Sequence, residues 1–336
     1  MVYNKYIGII GGTGTIGSII VKYLLQLQTH FHVLIGGRRS IKEISMSTFY
    51  NSERLKYNQM NYNNDVELDN FCSQCLLVIN AVGPSFKIND KIALHALRNN
   101  CHYIDIGGYG ILRDLLKPYE KSIEAQKLCF IIGVGWMPGI SGVFSKTIIE
   151  THLNSPENTN FNIYYGAVDN WSYSSTYDLA ASSMGKTRSY VYSHGKEIQV
   201  SPFRYTHHKF FPFIGHKKIC MPSFDEQLTQ LATSLKQIRK ISTFIMLNDY
   251  ISMGKFMFIK IFYKHNLNKA TLMLQDDYQR LVKKENKWGS VICQVSKIEP
   301  ERKIDTFYYL YTKNNLLYTA LRAVITTPVS YTHLTL

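Results

Sequence analysis

A glycine cluster near the start of the chain constrains its fold more than any other feature. The stretch YIGIIGGTGTIGSIIVKYLLQL passes from a short apolar run into an amphipathic segment, with Gly12, Gly14 and Gly17 at the junction. In a G-x-G-x-x-G turn the first glycine permits the tight turn, the second lets a pyrophosphate approach, and the third lets the helix pack on the strand. The pattern therefore predicts a dinucleotide site at a helix N-terminus.

Short apolar runs alternate with amphipathic segments up to about residue 135, which indicates βαβ units and a parallel sheet. The predicted strands are residues 6–10, 31–35, 55–60, 75–81, 102–106 and 128–132. The predicted helices are residues 16–27, 41–50, 66–73, 90–99 and 112–125. We expect an α/β fold in which residues 1–135 form a Rossmann-type doubly wound parallel sheet.

The character of the sequence changes after Gly133. GVGWMPGISG indicates a turn, and VFSKTIIETHL after it predicts one more helix. Aromatic alternation in FNIYYGAV and WGSVICQVSKI is typical of strands with one buried face. We expect residues 136–327 to form a second, mixed α+β domain, and the sequence leaves open a return of the final helix to the first domain.

The last residues, VSYTHLTL, resemble a translated sequencing adapter more than natural protein sequence. We therefore expect residues 328–336 to be a non-native tail. An ordinary short tail is the alternative.

The end of the second strand distinguishes the two nicotinamide dinucleotides. An NAD site carries Asp or Glu about 20 residues past the glycines for the ribose 2′-OH, whereas an NADP site carries arginine for the 2′-phosphate. This chain has GGRRS at residues 36–40 and no acid there. Because a guanidinium pairs with phosphate through charge-assisted hydrogen bonds, Arg38 and Arg39 favour NADP. The alternative is that they only cap a strand on a basic surface.

Two more segments fall at strand ends, the edge where such sheets bind ligands. The stretch Asn80, Ala81, Val82, Gly83 and Pro84 follows the fourth strand, and its small residues predict backbone contact with the ribose and nicotinamide. Asp105 and Tyr109 follow the fifth strand and are the candidates for assisting proton transfer, although an Asp there is also a common turn former. Further candidates are Trp136, Lys186, Arg188, Arg204, His207 and His208, for which solvated surface is the alternative.

The ordered segments IIGGTGTIG, GGRR, VINAVGP, YIDIGG and GVGWMPGISG resemble the saccharopine dehydrogenase family of NADP-binding oxidoreductases. GKEIQVSPFRY and IDTFYYLYTKNNLLYTALRAVI resemble its second domain more loosely, to about Thr327. The resemblance implies hydride transfer between NADP(H) and a C=N or C=O bond, and it carries over no catalytic residue. It implies cofactor contacts at Gly12, Thr13, Gly14, Thr15, Ile16, Arg38, Val82, Gly83 and Pro84.

Two other functions stay open. Because GGTGTIG also suits short-chain dehydrogenases, an atypical member of that class is one alternative. Its active-site pattern, Y-x-x-x-K on one helical face, occurs here only at Tyr192/Lys196, Tyr205/Lys209 and Tyr309/Lys313, none of them in a predicted helix. The other alternative is a non-catalytic NADP-binding sensor or scaffold.

Length and cysteine content narrow the class of protein. With 336 residues and 45% hydrophobic content, the chain is long enough for two domains and too apolar to be disordered. The six cysteines lack the density of a disulfide-stapled module, which favours reduced thiols. The N-terminal sequence enters a strand pattern without the features of a signal peptide, which favours a cytoplasmic protein. Cys72 and Cys75 have no second pair to complete a zinc site, so we expect no metal and predict a helix end and a buried strand residue.

The charge and hydropathy of the sequence indicate which binding partners to expect. The formal net charge is +14, but the lysines are spread through the chain without a nucleic-acid-binding module, so we expect no nucleic-acid partner. The most lipid-like stretch, residues 241–265, has polar interruptions and falls short of the roughly 18–20 apolar residues of a span. We predict a packed helix or strand pair there, no membrane span, and no favoured peripheral membrane contact. The expected partner is a small-molecule substrate, and a homodimer is left open.

Overall fold

The chain divides into two units in this computed structural model. Met1–Trp136 and Leu316–Leu336 form the first unit, and Met137–Asn315 forms the second. The structure describes residues 5–27, 31–40, 52–108, 110–153, 156–185, 189–224, 226–263 and 265–332. The predicted helix over residues 41–50 lies outside these ranges.

A parallel sheet organises the first unit. Its strands within the described ranges are β1 (Tyr6–Ile10), β2 (Val33–Gly37), β3 (Leu55–Gln59), β4 (Cys75–Asn80), β5 (His102–Asp105) and β6 (Phe130–Ile131). Their spatial order is β3-β2-β1-β4-β5-β6, and every pair is parallel. The strand order reverses between β1 and β4, which is where doubly wound sheets bind ligands. The predicted Rossmann-type fold is confirmed.

Short helices connect these strands. They are α1 (Thr15–Gln26), α2 (Asp65–Cys72), α3 (Ser85–Ile88), α4 (Lys91–Arg98), α5 (Gly110–Leu116) and α6 (Glu120–Ala125). The prediction of one helix over residues 112–125 is wrong, because a 3-10 turn at Lys117–Tyr119 separates α5 from α6. Pro118 explains the break, since its ring clashes with the preceding helical turn and it has no N–H to donate.

Apolar side chains cover both faces of this sheet. One cluster packs α1 against β1, β2, β4 and β5 through residues such as Ile20, Ile9 and Ile35. The same cluster contains Ala320 and Ala323 from α13 (Asn315–Thr332), the last helix. The opposite face carries a second cluster from α2, α4 and the strands, which includes Leu68, Phe71, Val78, Ile92 and Tyr103. The sheet is therefore buried on both sides, as the apolar strand sequences require.

A mixed sheet organises the second unit. Its strands are β7 (Thr159–Val168), β8 (Ser189–Ser193), β9 (Lys196–Val200), β10 (His207–Phe211), β11 (His216–Pro222), β12 (Lys240–Leu247), β13 (Trp288–Ile298) and β14 (Lys303–Thr312). The main order is β10-β11-β12-β7-β13-β14, and β8 pairs with β12 and β9. Strands β12 and β7 run parallel while the other pairs are antiparallel. The predicted mixed α+β character is confirmed.

The helices of the second unit are α7 (Ile140–His152), α8 (Tyr173–Gly185), α9 (Pro202–Tyr205), α10 (Glu226–Ser234), α11 (Tyr250–Phe262) and α12 (Leu267–Lys284). The lipid-like stretch of the sequence is one strand, β12, followed by one helix, α11, so it is neither a single helix nor a pair of strands. Within the part of the chain that the structure describes, no helix is long and apolar enough to cross a membrane.

Ion pairs join α11 to α12. Asp249 caps α11 by accepting a hydrogen bond from the Ser252 N–H at 2.9 Å. Its two carboxylate oxygens also accept hydrogen bonds from the Arg280 guanidinium on α12 at 2.7 and 3.0 Å. Burial alone would raise the pKa of Asp249, but the hydrogen bonds from Arg280 and Ser252 outweigh it and hold the pKa well below its ordinary value.

The low pKa of Asp249 predicts a pH-dependent contribution to stability. Since the unfolded chain protonates this carboxyl first, the contribution is present above about pH 4 and is lost as the pH falls from there through the lower folded pKa. Asp249→Asn keeps a capping side chain but removes the charge, and should lower the free energy of unfolding by about 1 kcal/mol at pH 7. Urea denaturation at pH 7 and pH 3 should show that this difference shrinks at the lower pH.

Asp276→Asn is the control, because Asp276 is an exposed carboxylate that pairs with Lys255. Such surface pairs contribute about 0–1 kcal/mol. A difference between Asp249→Asn and the parent chain that is equal at both pH values would contradict the prediction.

Candidate functional site

The glycine turn leaves the start of α1 free to meet an anion. Strand β1 ends at Ile10, and α1 begins at Thr15 with Gly14 as its N-cap in an extended conformation. No side chain caps this end, and the first turn of α1 has no acidic residue. Gly14 and Thr15 are exposed. The Gly14 N–H donates to the Gly11 carbonyl at 2.9 Å. The N–H groups of the first turn of α1 and the positive end of the helix dipole are therefore the groups that can meet a pyrophosphate.

The space around each glycine tests whether the turn fits the dinucleotide-binding motif. A Cβ atom at Gly17 would lie 2.2 Å from the carbonyl oxygen of Gly11, so only glycine lets α1 start this close to the turn. A Cβ atom at Gly12 would lie 2.8 Å from a methyl carbon of Ile35. At Gly14 the nearest heavy atom to an added Cβ would be the Gly11 oxygen at 3.2 Å, on an otherwise open side. The three positions thus match the three roles that the dinucleotide motif requires.

The loop after β4 lies against the glycine turn. The Ala81 N–H donates to the Ile10 carbonyl at 2.9 Å, which ties the two strand ends together. A Cβ atom at Gly11, whose φ is +83°, would lie 3.0 Å from both the Ala81 backbone and a Val82 methyl group. The predicted cofactor segments at residues 12–16 and 81–84 therefore meet at the point where the strand order reverses.

The arginine pair is close to the same turn. Arg38 and Arg39 follow β2 and are exposed. Gly37, the residue before them, lies beside the glycine turn, because a Cβ atom built on it would be 3.5 Å from the Thr13 hydroxyl. The backbone segment that carries the arginines thus reaches the same edge of the sheet as the segments at 12–16 and 81–84.

Two residues of β3 that the sequence analysis missed position the arginine segment. The Tyr57 hydroxyl is within hydrogen-bond distance of the Gly37 carbonyl, at 3.0 Å, and of the Arg39 carbonyl, at 2.5 Å. The Gln59 amide donates to the Arg38 carbonyl at 3.4 Å. The available signal was the polar alternation in LKYNQ, combined with the adjacency of β3 and β2 in a doubly wound sheet.

Asp105 is buried, and both oxygens of its carboxylate accept hydrogen bonds. Its carboxylate accepts hydrogen bonds from the Tyr103 hydroxyl at 2.5 Å and the Asn80 amide at 2.8 Å. The backbone N–H groups of Gly107 and Gly108 donate to its other oxygen at 2.9 and 2.5 Å. Burial and the adjacent carboxylate raise the pKa of Tyr103 well above its ordinary value, so its hydroxyl stays a donor. This network fixes the loop that follows β5.

Asn80 bridges the loops that follow β4 and β5, a role that the sequence pattern did not predict. Its amide nitrogen donates to Asp105, and its side-chain oxygen accepts the Val82 N–H at 3.0 Å. The Asp105 network therefore connects to the loop at residues 81–84. Tyr109, the second catalytic candidate, lies outside the described residues.

The candidates beyond the first sheet have packing partners. Trp136 is buried and meets Tyr318 edge to face, with ring centroids 6.5 Å apart. The His207 ring packs against Phe244 at 4.9 Å, and His208 hydrogen-bonds Tyr250 at 2.9 Å. Arg204 is exposed on α9. Lys186 and Arg188 lie outside the described residues.

The thiols of the first unit belong to its core. Cys72 is the last residue of α2 and Cys75 the first of β4, as the sequence predicted, and both are buried. The Cys101 thiol donates to their carbonyls at 3.1 and 3.3 Å, and burial raises its pKa to about 11. Among the described residues no group of His, Cys, Asp or Glu side chains could hold a metal ion.

The Y-x-x-x-K pairs lack the geometry of a short-chain dehydrogenase. Tyr192 and Lys196 lie on two adjacent strands, β8 and β9, and Lys209 lies on β10 beyond the end of α9. Tyr309 lies on β14. Since no pair shares a helical face, none can place a phenol and an ammonium in the register that this chemistry uses.

Comparison with protein-family models matches residues 7–129 to the saccharopine dehydrogenase NADP binding domain. The matched segment contains the glycine turn, Arg38, Arg39, the loop at 81–84 and Asp105. Comparison with curated proteins finds no match.

Solved structures align with this chain at low sequence identity. An engineered D-amino acid dehydrogenase bound to NADP+ is 10% identical, with 95% of this chain and 86% of that chain covered and a TM-score of 0.47. The C. glutamicum DAP dehydrogenase in complex with DAP is also 10% identical over 95% and 86% of the two chains, with a TM-score of 0.45. A short-chain dehydrogenase/reductase from Veillonella parvula in complex with NADP is 19% identical over 38% of this chain and 67% of that chain, with a TM-score of 0.29.

Proposed function

We propose that this chain, whose residues 7–129 match the saccharopine dehydrogenase NADP binding domain, is an NADP-dependent oxidoreductase that moves hydride between NADP(H) and a C=N or C=O bond. The proposed substrate is small and carries a carboxylate. One observation supports the proposal above all others. The glycine turn, the segment before Arg38 and the loop at 81–84 converge where the strand order of the sheet reverses.

Each segment has a proposed task toward the cofactor, whose nicotinamide supplies or accepts the hydride when bound. The N–H groups at the start of α1 hold the pyrophosphate, and Thr13 and Thr15 line it. Arg38 and Arg39 pair with the 2′-phosphate, from a backbone segment that Tyr57 and Gln59 hold in place. The backbone at residues 81–84 lines the ribose and nicotinamide.

For Asp105 we propose positioning rather than proton transfer. Its carboxylate accepts four hydrogen bonds, and a group that gave or took a proton there would lose part of this network. Asp105→Asn should therefore weaken NADPH binding by disordering the loops after β4 and β5, and it should leave the pH profile of turnover unchanged. Tyr109 stays the proposed proton donor on the sequence alone.

Arg38→Ala should weaken NADPH binding by roughly ten- to a hundredfold, because loss of a charged partner costs about 1.5–3 kcal/mol. NADH binding should change little, since NADH has no 2′-phosphate. Calorimetric titration of both cofactors checks the prediction, and Arg98→Ala, an exposed arginine at the end of α4, is the control. If the parent chain binds NADH as tightly as NADPH, the assignment of Arg38 to the 2′-phosphate is wrong.

The chemistry is tested by following NADPH absorbance with amines or amino acids mixed with 2-oxo acids and aldehydes. We expect oxidation of NADPH that depends on both an amine and an oxo acid. Oxidation of NADPH with a ketone alone, without an amine, would indicate that the hydride acceptor is a C=O bond and not a C=N bond.

A non-catalytic NADP-binding protein is the second candidate. The engaged carboxylate of Asp105 favours it, since that residue was one of two catalytic candidates. Tight NADPH binding combined with no substrate-dependent oxidation across the panel would make it the better assignment.

A further inference from the structure

Strand β14 forms one border of the sheet in the second unit. It is 10 residues long and pairs with β13 along its whole length. Among the strands that the structure describes, none lies on its other side. The register with β13 runs from Lys303 to Thr312 without a shift, so β14 contains no bulge. A strand in this position presents a row of backbone N–H and C=O groups that can bond to another strand.

The turn before β14 determines which backbone groups face the open side. The Glu299 N–H donates to the Arg302 carbonyl at 2.9 Å, so these residues form a hydrogen-bonded pair at the end of the β13–β14 hairpin. In an antiparallel ladder, such pairs alternate with pairs that direct their N–H and C=O groups away from each other. Every second residue after Arg302 therefore directs these groups to the open side. These residues are Lys303, Asp305, Phe307, Tyr309 and Tyr311.

The sequence of β14 lacks the features that normally protect such a border. Its residues 306–312, TFYYLYT, contain no charged residue and no proline. Natural border strands are commonly short, charged, or interrupted by bulges or proline, which prevents them from pairing with other chains. The opposite border, β10, follows that rule, since it has 5 residues and carries Lys209 at its centre. The unprotected border of the main sheet is therefore β14.

Apolar side chains are exposed on both faces of β14. Phe307 and Tyr309 are 44% and 55% exposed on one face, and Ile304 is 37% exposed on the other. The Phe307 ring centroid lies 4.9 Å from the Lys209 ammonium, and the Tyr309 ring stacks on Phe213 at 4.1 Å. These contacts hold the side chains in place. A further strand beside β14 would supply cross-strand neighbours that bury part of each exposed surface.

The residues with outward-facing backbone groups are arranged symmetrically about Phe307. Two copies of β14 can lie antiparallel with Phe307 opposite itself. Asp305 then lies opposite Tyr309, and Lys303 lies opposite Tyr311. Each of these residues exchanges N–H···O=C bonds with the residue opposite, as in any hydrogen-bonded antiparallel pair. A shift of the register in either direction leaves an end residue of the strand without a strand partner, so the symmetric register pairs the most backbone groups.

The charges near β14 favour the same register. Position 303 faces position 311 of the second copy, so the two Lys303 side chains are roughly 26 Å apart. Lys313, just past the end of β14, comes close to Glu301 in the hairpin turn of the second copy, which has the opposite charge. A register centred on Tyr308 would instead place Lys303 opposite Lys313. The symmetric register therefore separates like charges and brings opposite ones together.

We propose that β14 is a homodimer interface, in which two copies pair antiparallel about Phe307 and join their mixed sheets into one. The self-complementary register identifies a second copy as the partner. Contact of a border strand with its own copy occupies both borders at once, so the assembly closes at two chains. The inference is independent of NADP and of the proposed reaction.

Sedimentation velocity of the full chain over a range of concentrations tests the association, and we expect a dimer. Thr306→Lys should weaken it by about tenfold or more. Thr306 is exposed, and the two introduced lysines would be diagonal neighbours about 7–8 Å apart across the interface. Ile198→Lys is the matched control, because Ile198 is 47% exposed on β9, a different strand. It should leave the dimer unchanged, and circular dichroism should show both variants folded.

Hydrogen exchange at single-residue resolution distinguishes this interface from any other. The amides at positions 304, 306, 308 and 310 bond to β13 and should exchange slowly in dimer and monomer alike. The amides of Asp305, Phe307 and Tyr309 should exchange slowly in the dimer and about tenfold or more faster in Thr306→Lys. A parent chain that is monomeric, a dimer that Thr306→Lys leaves intact, or fast exchange of these three amides in the dimer would each overturn the proposal.

Discussion

Replacing Gly17 with alanine should weaken NADPH binding by about a hundredfold or more, equivalent to about 2.7 kcal/mol. The added Cβ atom would lie 2.2 Å from the Gly11 carbonyl oxygen and 2.8 Å from the Gly12 Cα. Both are backbone atoms of the turn that we propose holds the pyrophosphate, so the clash cannot be relieved by a side-chain rotation. The turn has to move away from α1, and the N–H groups at the start of α1 are then no longer oriented toward the pyrophosphate. Calorimetric titration with NADPH measures the effect.

Gly254→Ala is the control for this substitution. Gly254 lies in α11, and a Cβ atom there would meet no heavy atom within 4 Å. Alanine is the better helix former, so this variant should keep its NADPH affinity and gain about 0.5–1 kcal/mol of stability. Circular dichroism confirms that both variants are folded. NADPH affinity of Gly17→Ala within threefold of the parent would show that the turn tolerates the added methyl group.

Glu285→Ala should destabilise the second unit by about 3–5 kcal/mol. The Lys218 side chain is 1% exposed and pairs with Glu285 at 3.0 Å. Its ammonium also donates to the Asn248 amide oxygen at 2.6 Å and lies 4.9 Å from the Trp288 ring centroid. Burial lowers the pKa of Lys218 although Glu285 opposes the change. Removal of the carboxylate would leave a buried ammonium with only a neutral hydrogen-bond acceptor, which is costly.

The double variant Lys218→Met/Glu285→Leu distinguishes the cost of an unpaired buried charge from the cost of lost packing at these two positions. Since no buried charge remains, its free energy of unfolding should stay within about 1–2 kcal/mol of the parent. Urea denaturation followed by tryptophan fluorescence suits the measurement, because Trp288 contacts both partners. A double variant as unstable as Glu285→Ala would mean that the loss comes from packing and not from the unpaired charge.

The sequence predicted the first sheet well, because buried parallel strands leave continuous apolar runs between glycine and polar turns. It also predicted the glycine turn, because the spacing of Gly12, Gly14 and Gly17 has a steric cause. It did not predict Tyr57, Gln59 and Asn80 as positioning residues. Their roles depend on which strand lies beside which, and adjacency in space is not visible in a local pattern.

Two other features could not be predicted from the sequence, each for a physical reason. Local periodicity predicted one helix across Pro118, because the apolar spacing continues through a residue that has no backbone N–H to donate. In α11 both sides are apolar, so periodicity identifies the helix without indicating which side faces the sheet. Only the exposed fractions of Ile261 and Phe262 distinguish the two sides.

The return of α13 to the first sheet has a consequence for the order in which the chain folds. The second unit is an insertion within the first, since residues 137–315 separate the two parts of the nucleotide-binding unit. During synthesis that unit stays without Ala320 and Ala323 until residues 137–315 have been made. The inserted unit is contiguous and can complete its core earlier. We therefore expect it to fold first, with the nucleotide-binding unit closing over its own N-terminal strands last.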